Sequence, residues 1–479
     1  MSFTSPTFIA FVLAAVLLTS ALPTPGGRSG VLLGANLVFI GSYVDSVIQV
    51  LPLAGFLVLC YAIIEGVRRR PSSTSLAVGL AIVIGCFVVL KKFSFLGPSL
   101  TLPFPYLIIG LSYVLFRVLH LMIDARQGEL ARPVSPLHFF NYTCNFLSFI
   151  AGPIQRYQDY AAHANQPLAL NEDKVFRAFA RVIAGFLKVG VASAIFKYLF
   201  DNMSARLLET ALTPSLPMFI GLYLAAAVFY TVYLYANFAG YMDIVIGVAE
   251  LMGQQLPENF NQPFLARSFL DFWSRWHMTL SDWFKTYLFN PLLTALSRRV
   301  TSPKVGPYLG VVAFFVTFLV MGVWHGTTPV FVVYGLLMGA GASVNKLWQV
   351  AMTKRFGKKG YKSLTEKTAV IYVSRGLTFA YFALALTCLW LELPQALWLA
   401  GRLGIWGGVL GYVALALAAG LAFLAWDTVI ALLVPLRAGA VRAAGGVVAR
   451  NMVLSLQILL ILMITSFFHK APEFVYRAF

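Results

Sequence analysis

Residues 309–344 read LGVVAFFVTFLVMGVWHGTTPVFVVYGLLMGAGASV, two apolar runs, Leu309–Val323 and Val330–Val344, that meet at Met321-Gly-Val-Trp-His-Gly-Thr-Thr328. No Asp, Glu, Lys or Arg interrupts them. Backbone N–H and C=O groups in hydrocarbon must bond within their own segment, so runs of this kind read as membrane helices. Each is shorter than the ~20 residues of a full crossing, which points to tilt, re-entry or burial within a bundle. His325 lies at the bend. Gly322 and Gly326 flank it and allow another helix or an acyl chain to approach the backbone closely.

Working outward, the same pattern repeats. Apolar segments fall at about Phe8–Leu22, Val31–Val44, Val47–Ile64, Ser75–Leu90, Leu102–Ile123, Phe139–Ile154, Phe176–Phe200 and Pro217–Leu251. After the hairpin come Ala369–Leu391, Leu397–Ala425 and Met452–Phe468. The chain of 479 residues is 59% hydrophobic and 11% charged, with mean hydropathy +0.79. Soluble proteins carry about 25% charged residues, so this chain cannot coat a water-facing surface. The expectation is an all-α polytopic membrane protein with about 11–13 membrane segments plus re-entrant or interfacial helices. No Lys or Arg precedes Arg28, so Phe8–Leu22 lacks the basic flank of a secretory signal and reads as a retained helix. The longest polar interval, about Arg156–Lys174, is too short for a core of its own and reads as a loop. The whole chain, 1–479, is therefore expected to be one integral membrane domain.

The formal charge is +18. In a membrane protein this excess belongs to cytoplasmic loops and to surfaces facing anionic lipid, and not to nucleic acid binding. Arg68, Arg69 and Arg70 mark one cytoplasmic end, and the loop from Lys346 to Arg375 marks another, with Arg298, Arg299 and Lys304 on the same side. Leu309–Val323 then runs outward, and His325 lies in the membrane or towards its outer side. Cys60, Cys86, Cys144 and Cys388 show no CxxC spacing and read as small buried hydrophobes, with no metal site implied.

One stretch departs from the spanning pattern. From Phe264 to Asn290, Leu265, Phe269, Phe272, Trp276, Leu280, Trp283 and Tyr287 recur every three or four residues with polar residues between them. This predicts an amphipathic helix, either a plain anchor at the interface or a segment dipping into the bundle. Arg267, Asp271 and Arg275 can pair along one face, and Trp273, Trp276 and Trp283 suit the headgroup boundary. His277 sits on the polar side, beside Trp276. Upstream, Asn259 and Asn261 follow Pro257 in a loop, where their amides either bind a ligand or cap backbone groups. Asp243, a carboxylate within an apolar run, is a functional candidate, or it pairs with a cation such as Arg275.

Four motifs follow one another: Asn237-Phe-Ala-Gly-Tyr-Met-Asp243, Leu256-Pro-Glu-Asn-Phe-Asn-Gln-Pro263, Asp271-Phe-Trp-Ser-Arg-Trp-His277 and Gly322-Val-Trp-His-Gly326. With Ile150-Ala-Gly-Pro-Ile-Gln-Arg156 and Gly110-Leu-Ser-Tyr113, this array resembles the membrane-bound O-acyltransferase (MBOAT) family. The likeness is to its bacterial branch of alginate O-acetylation and teichoic acid D-alanyl transfer proteins. It covers a core of about 107–346, while the hydrophobic ends, 1–106 and 347–479, add little to it.

The resemblance implies a ring of tilted helices around a central pore, with His325 as the catalytic residue and His277 in support. Asn259, Asn261, Asp243, Arg275, Trp276 and Trp324 are the accompanying candidates for substrate binding. It implies no bound cofactor and a donor thioester, acetyl-CoA or a carrier-bound acyl group. The acyl unit, acetyl in the first reading and D-alanyl in the second, would pass to an exported or cell-envelope polysaccharide. A separate extracytoplasmic acyltransferase or SGNH-hydrolase-like partner would complete the transfer, with the chain in the bacterial cytoplasmic (inner) membrane. Imidazole, with an ordinary pKa of ~6.5, suits a base that takes the proton of an attacking hydroxyl. Burial keeps it neutral. Two competing classes stand beside this one: a secondary transporter, although no paired halves are visible, and a non-catalytic envelope scaffold with inert histidines.

Overall fold

The computed structural model describes residues 1–468 apart from 2, 98, 99, 101, 131, 210–213, 444 and 445, and apart from the side chains of 434–450 and 467–468. Most of the apolar runs are helices. Among the described residues eight helices are long and apolar enough to cross a membrane, and Pro6–Ala21 and Asn451–Ser466 are shorter apolar ones. Their outward faces carry large exposed apolar side chains, such as Val58, Trp406 and Leu421, as lipid-facing helices do. Phe139–Ile154, expected as an apolar segment, does not become a span. Asn141, Thr143, Asn145 and Ser148 interrupt it, and only Pro136–Thr143 is helical.

Two compact units share the chain: residues 1–186 with 238–258, and residues 187–237 with the described residues from 259 onward. The helices of the first half are α1 (Pro6–Ala21), α2 (Pro25–Gly41), α3 (Leu51–Arg69), α4 (Ser73–Lys91), α5 (Leu111–Gln127), α6 (Pro136–Thr143), α7 (Tyr157–Ala164) and α8 (Glu172–Leu187). Then come α9 (Ala194–Leu208) and α10 (Leu216–Leu251). The interval read as a loop thus holds the short helix α7. Starts are set by local chemistry: Thr24 accepts from Gly27 N–H ahead of Pro25, and Ser72 and Ser75 form a reciprocal capping box at α4.

In the first unit α8 packs tightly on the end of α10. A Cβ at Gly185 would lie 2.7 Å from the Gly240 carbonyl oxygen, and one at Gly247 would lie 2.9 Å from that of Ala178. Residues 144–155 are irregular chain, yet every one of them is buried. Irregular backbone at such depth needs partners from side chains. Arg117, 1% exposed, donates to the Thr143 carbonyl at 2.7 Å, the Ser148 carbonyl at 2.6 Å and the Ser148 hydroxyl at 2.7 Å. Asn36 Oδ1 accepts from Phe146 N–H at 2.8 Å, and the Tyr241 hydroxyl donates to the Leu147 carbonyl at 3.0 Å.

The second unit contains α11 (Phe269–Trp273), α12 (Met278–Phe284), α13 (Asn290–Arg299), α14 (Gly306–His325), α15 (Val330–Thr365), α16 (Thr368–Ala385), α17 (Leu393–Ala443) and α18 (Gly446–Phe468). α14 and α15 form the hairpin read from residues 309–344. Its arms meet glycine to glycine, because a Cβ at Gly322 would collide with the Gly335 backbone, and one at Gly339 would lie 2.9 Å from the Phe315 carbonyl oxygen. Only small residues permit that approach.

The stretch expected as a single amphipathic helix, Phe264–Asn290, is broken instead. A 3-10 turn at Pro263–Leu265 precedes α11, non-helical chain follows to His277, and α12 continues through a π segment, Lys285–Phe289, into α13. The break has a local cause. Phe260 and Trp276 pair as an antiparallel bridge, and His277 adopts left-handed backbone angles, φ +46° and ψ +51°, which end any right-handed helix.

Candidate active site

The second unit brings His277 and Asn259 together although 18 residues separate them. Two backbone bonds fold Asn259–Asn261 against the chain around His277, and a third fixes the turn that follows it. Asn261 N–H donates to the Arg275 carbonyl at 2.9 Å and Met278 N–H to the Asn259 carbonyl at 2.9 Å, while Ser281 N–H closes on the His277 carbonyl at 3.0 Å. Left-handed angles are costly for a residue with a Cβ, and non-glycine residues held in them concentrate at functional sites. Here the surrounding bonds over-determine the conformation. His277 is 1% exposed and Asn259 is fully buried. Burial, followed by the electrostatic influence of the His325 imidazole, holds the His277 pKa well below its ordinary value.

His325 is the last residue of α14 and is buried. Its ring lies 4.9 Å from that of Trp324 and 5.6 Å from that of Tyr334, both edge-on. Tyr334 comes from the returning helix, across the Gly326–Pro329 turn. The glycines expected to admit a neighbour are filled from within the hairpin: Gly322 by Gly335, and Gly326 by the Phe331 ring.

Trp276 anchors the broken segment. Its ring is 5.1 Å from Phe260, 5.5 Å from Phe272, 4.9 Å from Phe382 and 6.0 Å from Tyr235. Trp273 and Trp276 are both buried among aromatic rings. The helical period registered their apolar character, and α16 supplies the partner that was not visible locally.

Asp243 belongs to the first unit, where it pairs with Arg181 Nε at 3.1 Å; the same guanidinium makes two 2.6 Å bonds to Glu258. Pairing of Asp243 with Arg275 is thereby corrected, since Arg275 bonds Asp271 at 2.9 Å, one turn away on its own segment. Asn261 is exposed. Among the described residues no group of three or more His, Cys, Asp or Glu gathers as a metal site.

Sequence reasoning missed Thr279, Tyr334 and the polar face of α5. Arg117, His120 and Asp124 recur there at i, i+3 and i+7 and are all buried. Their spacing in an apolar run was the available signal. Nothing comparable marks Tyr334.

Residues 81–385, well over half of the chain, match the membrane-bound O-acyltransferase family, MBOAT. The chain is 30% identical to the teichoic acid D-alanyltransferase of Bacillus subtilis (strain 168) over 349 residues, 69% of this chain and 84% of that protein. It is 31% identical to the Streptococcus thermophilus protein of the same name over 297 residues, 59% of this chain and 69% of that protein. A probable alginate O-acetylase AlgI of Pseudomonas fluorescens is 30% identical over 281 residues, 59% of this chain and 52% of that protein.

Proposed function

We propose, since this chain belongs to the membrane-bound O-acyltransferase family and is an O-acyltransferase, that it moves an acyl group from a cytoplasmic thioester across the bacterial inner membrane for O-acylation of an exported or cell-envelope polysaccharide. His325 is the catalytic base. The observation that supports this reading is the presence of two buried imidazoles, His277 and His325, in one unit. One of them is fixed by Asn259, and the other closes the α14–α15 hairpin between Trp324 and Tyr334.

The chemistry needs little else. A neutral His325 takes the proton of an attacking hydroxyl as its oxygen bonds to the thioester carbonyl carbon. The C–S bond then breaks, and the imidazolium returns the proton to the departing thiolate. Atoms and charge balance with no cofactor. The donor is acetyl-CoA or a carrier-bound acyl thioester; both are anionic, and the basic residues between Lys346 and Lys367 would attract them. A separate extracytoplasmic partner hands the acyl group to the final acceptor.

Acetyl is the acyl unit in the first reading. A second reading, D-alanyl, is favoured by one observation: similarity to the D-alanyltransferase of Bacillus subtilis spans 69% of this chain, against 59% for the Pseudomonas fluorescens O-acetylase. Mild alkaline hydrolysis of the envelope and exopolysaccharide of a producing strain and its deletion mutant separates the two. Acetate lost from the mutant supports the first, and D-alanine lost supports the second. Equal ester content in both strains overturns the proposal.

A further inference from the structure

The bonds around Asn259 decide which nitrogen of His277 carries a proton. Asn259 Oδ1 lies 3.2 Å from Thr279 N, 2.9 Å from Thr279 Oγ1 and 3.1 Å from His277 Nδ1. A backbone N–H can only donate, so the carboxamide atom facing Thr279 N is the oxygen. The amide's orientation therefore follows from chemistry and needs no network to assign it. The same oxygen faces His277 Nδ1. Two lone pairs would repel at 3.1 Å, so Nδ1 carries the hydrogen, and in a neutral imidazole the lone pair is then on Nε2.

The other half of the carboxamide is placed differently. Asn259 Nδ2 is buried and has no hydrogen-bond partner among the described residues. Burying a donor without an acceptor costs about 1–3 kcal/mol, and such a group in a native structure calls for an explanation, a catalytic role among them.

We propose that Asn259 locks His277 as the Nδ1–H tautomer, so that His277 accepts a hydrogen bond at Nε2, and that the Asn259 NH2 group is the donor to the acyl carbonyl oxygen. The first half stands on geometry alone. The second rests on the acyl-transfer reading above. Together they divide the labour: neutral His277 cannot donate from Nε2 to a developing oxyanion, so its use is to orient or relay a proton. Stabilising the carbonyl oxygen falls to the amide. Removing one such donor costs about 10²–10³-fold in turnover in acyl transfer.

The test combines histidine-labelled ¹⁵N NMR of the full chain in detergent at pH 7 with acyl-transfer kinetics, the His277 signals being assigned by their loss in His277→Gln. Wild type is expected to show a protonated Nδ1 and a bare Nε2. Asn259→Leu is expected to lose that tautomer preference. Asn259→Asp keeps an acceptor oxygen, so Nδ1 stays protonated, but it has no NH2, and turnover falls about 10²-fold. A wild-type His277 protonated at Nε2, or an unchanged tautomer in Asn259→Leu, overturns the first half. Undiminished turnover in Asn259→Asp overturns the second. The acyl-transfer reading fails separately, if His325→Gln transfers acyl groups as wild type does, and the tautomer result is unaffected by that outcome.

Discussion

Residues 144–155 in the first unit and 259–277 in the second, broken by the short helix α11, are both largely irregular chain within a membrane protein, and they solve the same problem in opposite ways. In the first, side chains serve the backbone: the guanidinium of Arg117, the amide of Asn36 and the hydroxyl of Tyr241 are spent on main-chain groups. In the second, the backbone serves itself. Asn259–Asn261 pairs with Arg275–Met278, and rings of Phe260, Phe272, Trp276 and Phe382 fill the space between. Such pairing leaves polar side chains over for chemistry. The lesson is that depth and irregularity alone do not mark a site; what matters is which groups remain after the backbone is satisfied.

Four substitutions probe that contrast, the largest effect first. His325→Gln should lower turnover about 10²–10⁴-fold, the usual worth of a general base, while the melting temperature in detergent moves little; retained turnover breaks the assignment. Arg117→Met should do the reverse. Losing its bonds strands two buried carbonyls, for about 3–5 kcal/mol, read as a large fall in melting temperature with turnover per folded molecule preserved. A wild-type melting curve would mean that Arg117 does not hold residues 144–155. Trp276→Leu should cost about 2–3 kcal/mol by opening the aromatic cluster, and turnover should drop with it because His277 is the next residue. Loss of stability without loss of turnover would separate Trp276 from the site. Arg275→Gln should change stability by less than about 1 kcal/mol, since its pair with Asp271 is about a third exposed, and turnover by less than about twofold. A larger loss of turnover would restore Arg275 as a substrate-binding residue.

Much of this was legible in residue order. The apolar runs, the hairpin around His325 and the basic ends are properties of local composition, which hydrocarbon enforces directly. The motif array located the family. Other features depend on partners distant in sequence. A 3.6-residue period from Phe264 to Tyr287 predicts one helix, but the Phe260–Trp276 bridge and the left-handed His277 break it. Asp243 lies in an apolar run with several possible cations, and only the packing of α8 against α10 selects Arg181. Tyr334 reaches His325 because the turn between α14 and α15 is short and Gly322 lets the arms close, a contact that no periodicity announces.

The most direct measurement is acyl transfer by the purified full chain in proteoliposomes, with a radiolabelled acyl thioester supplied on one side and an acceptor hydroxyl compound on the other. Wild type and His325→Gln would be compared at equal amounts of folded protein. Transfer by wild type that falls at least 100-fold in the variant is the expected result. Equal transfer by both would contradict a catalytic imidazole at position 325.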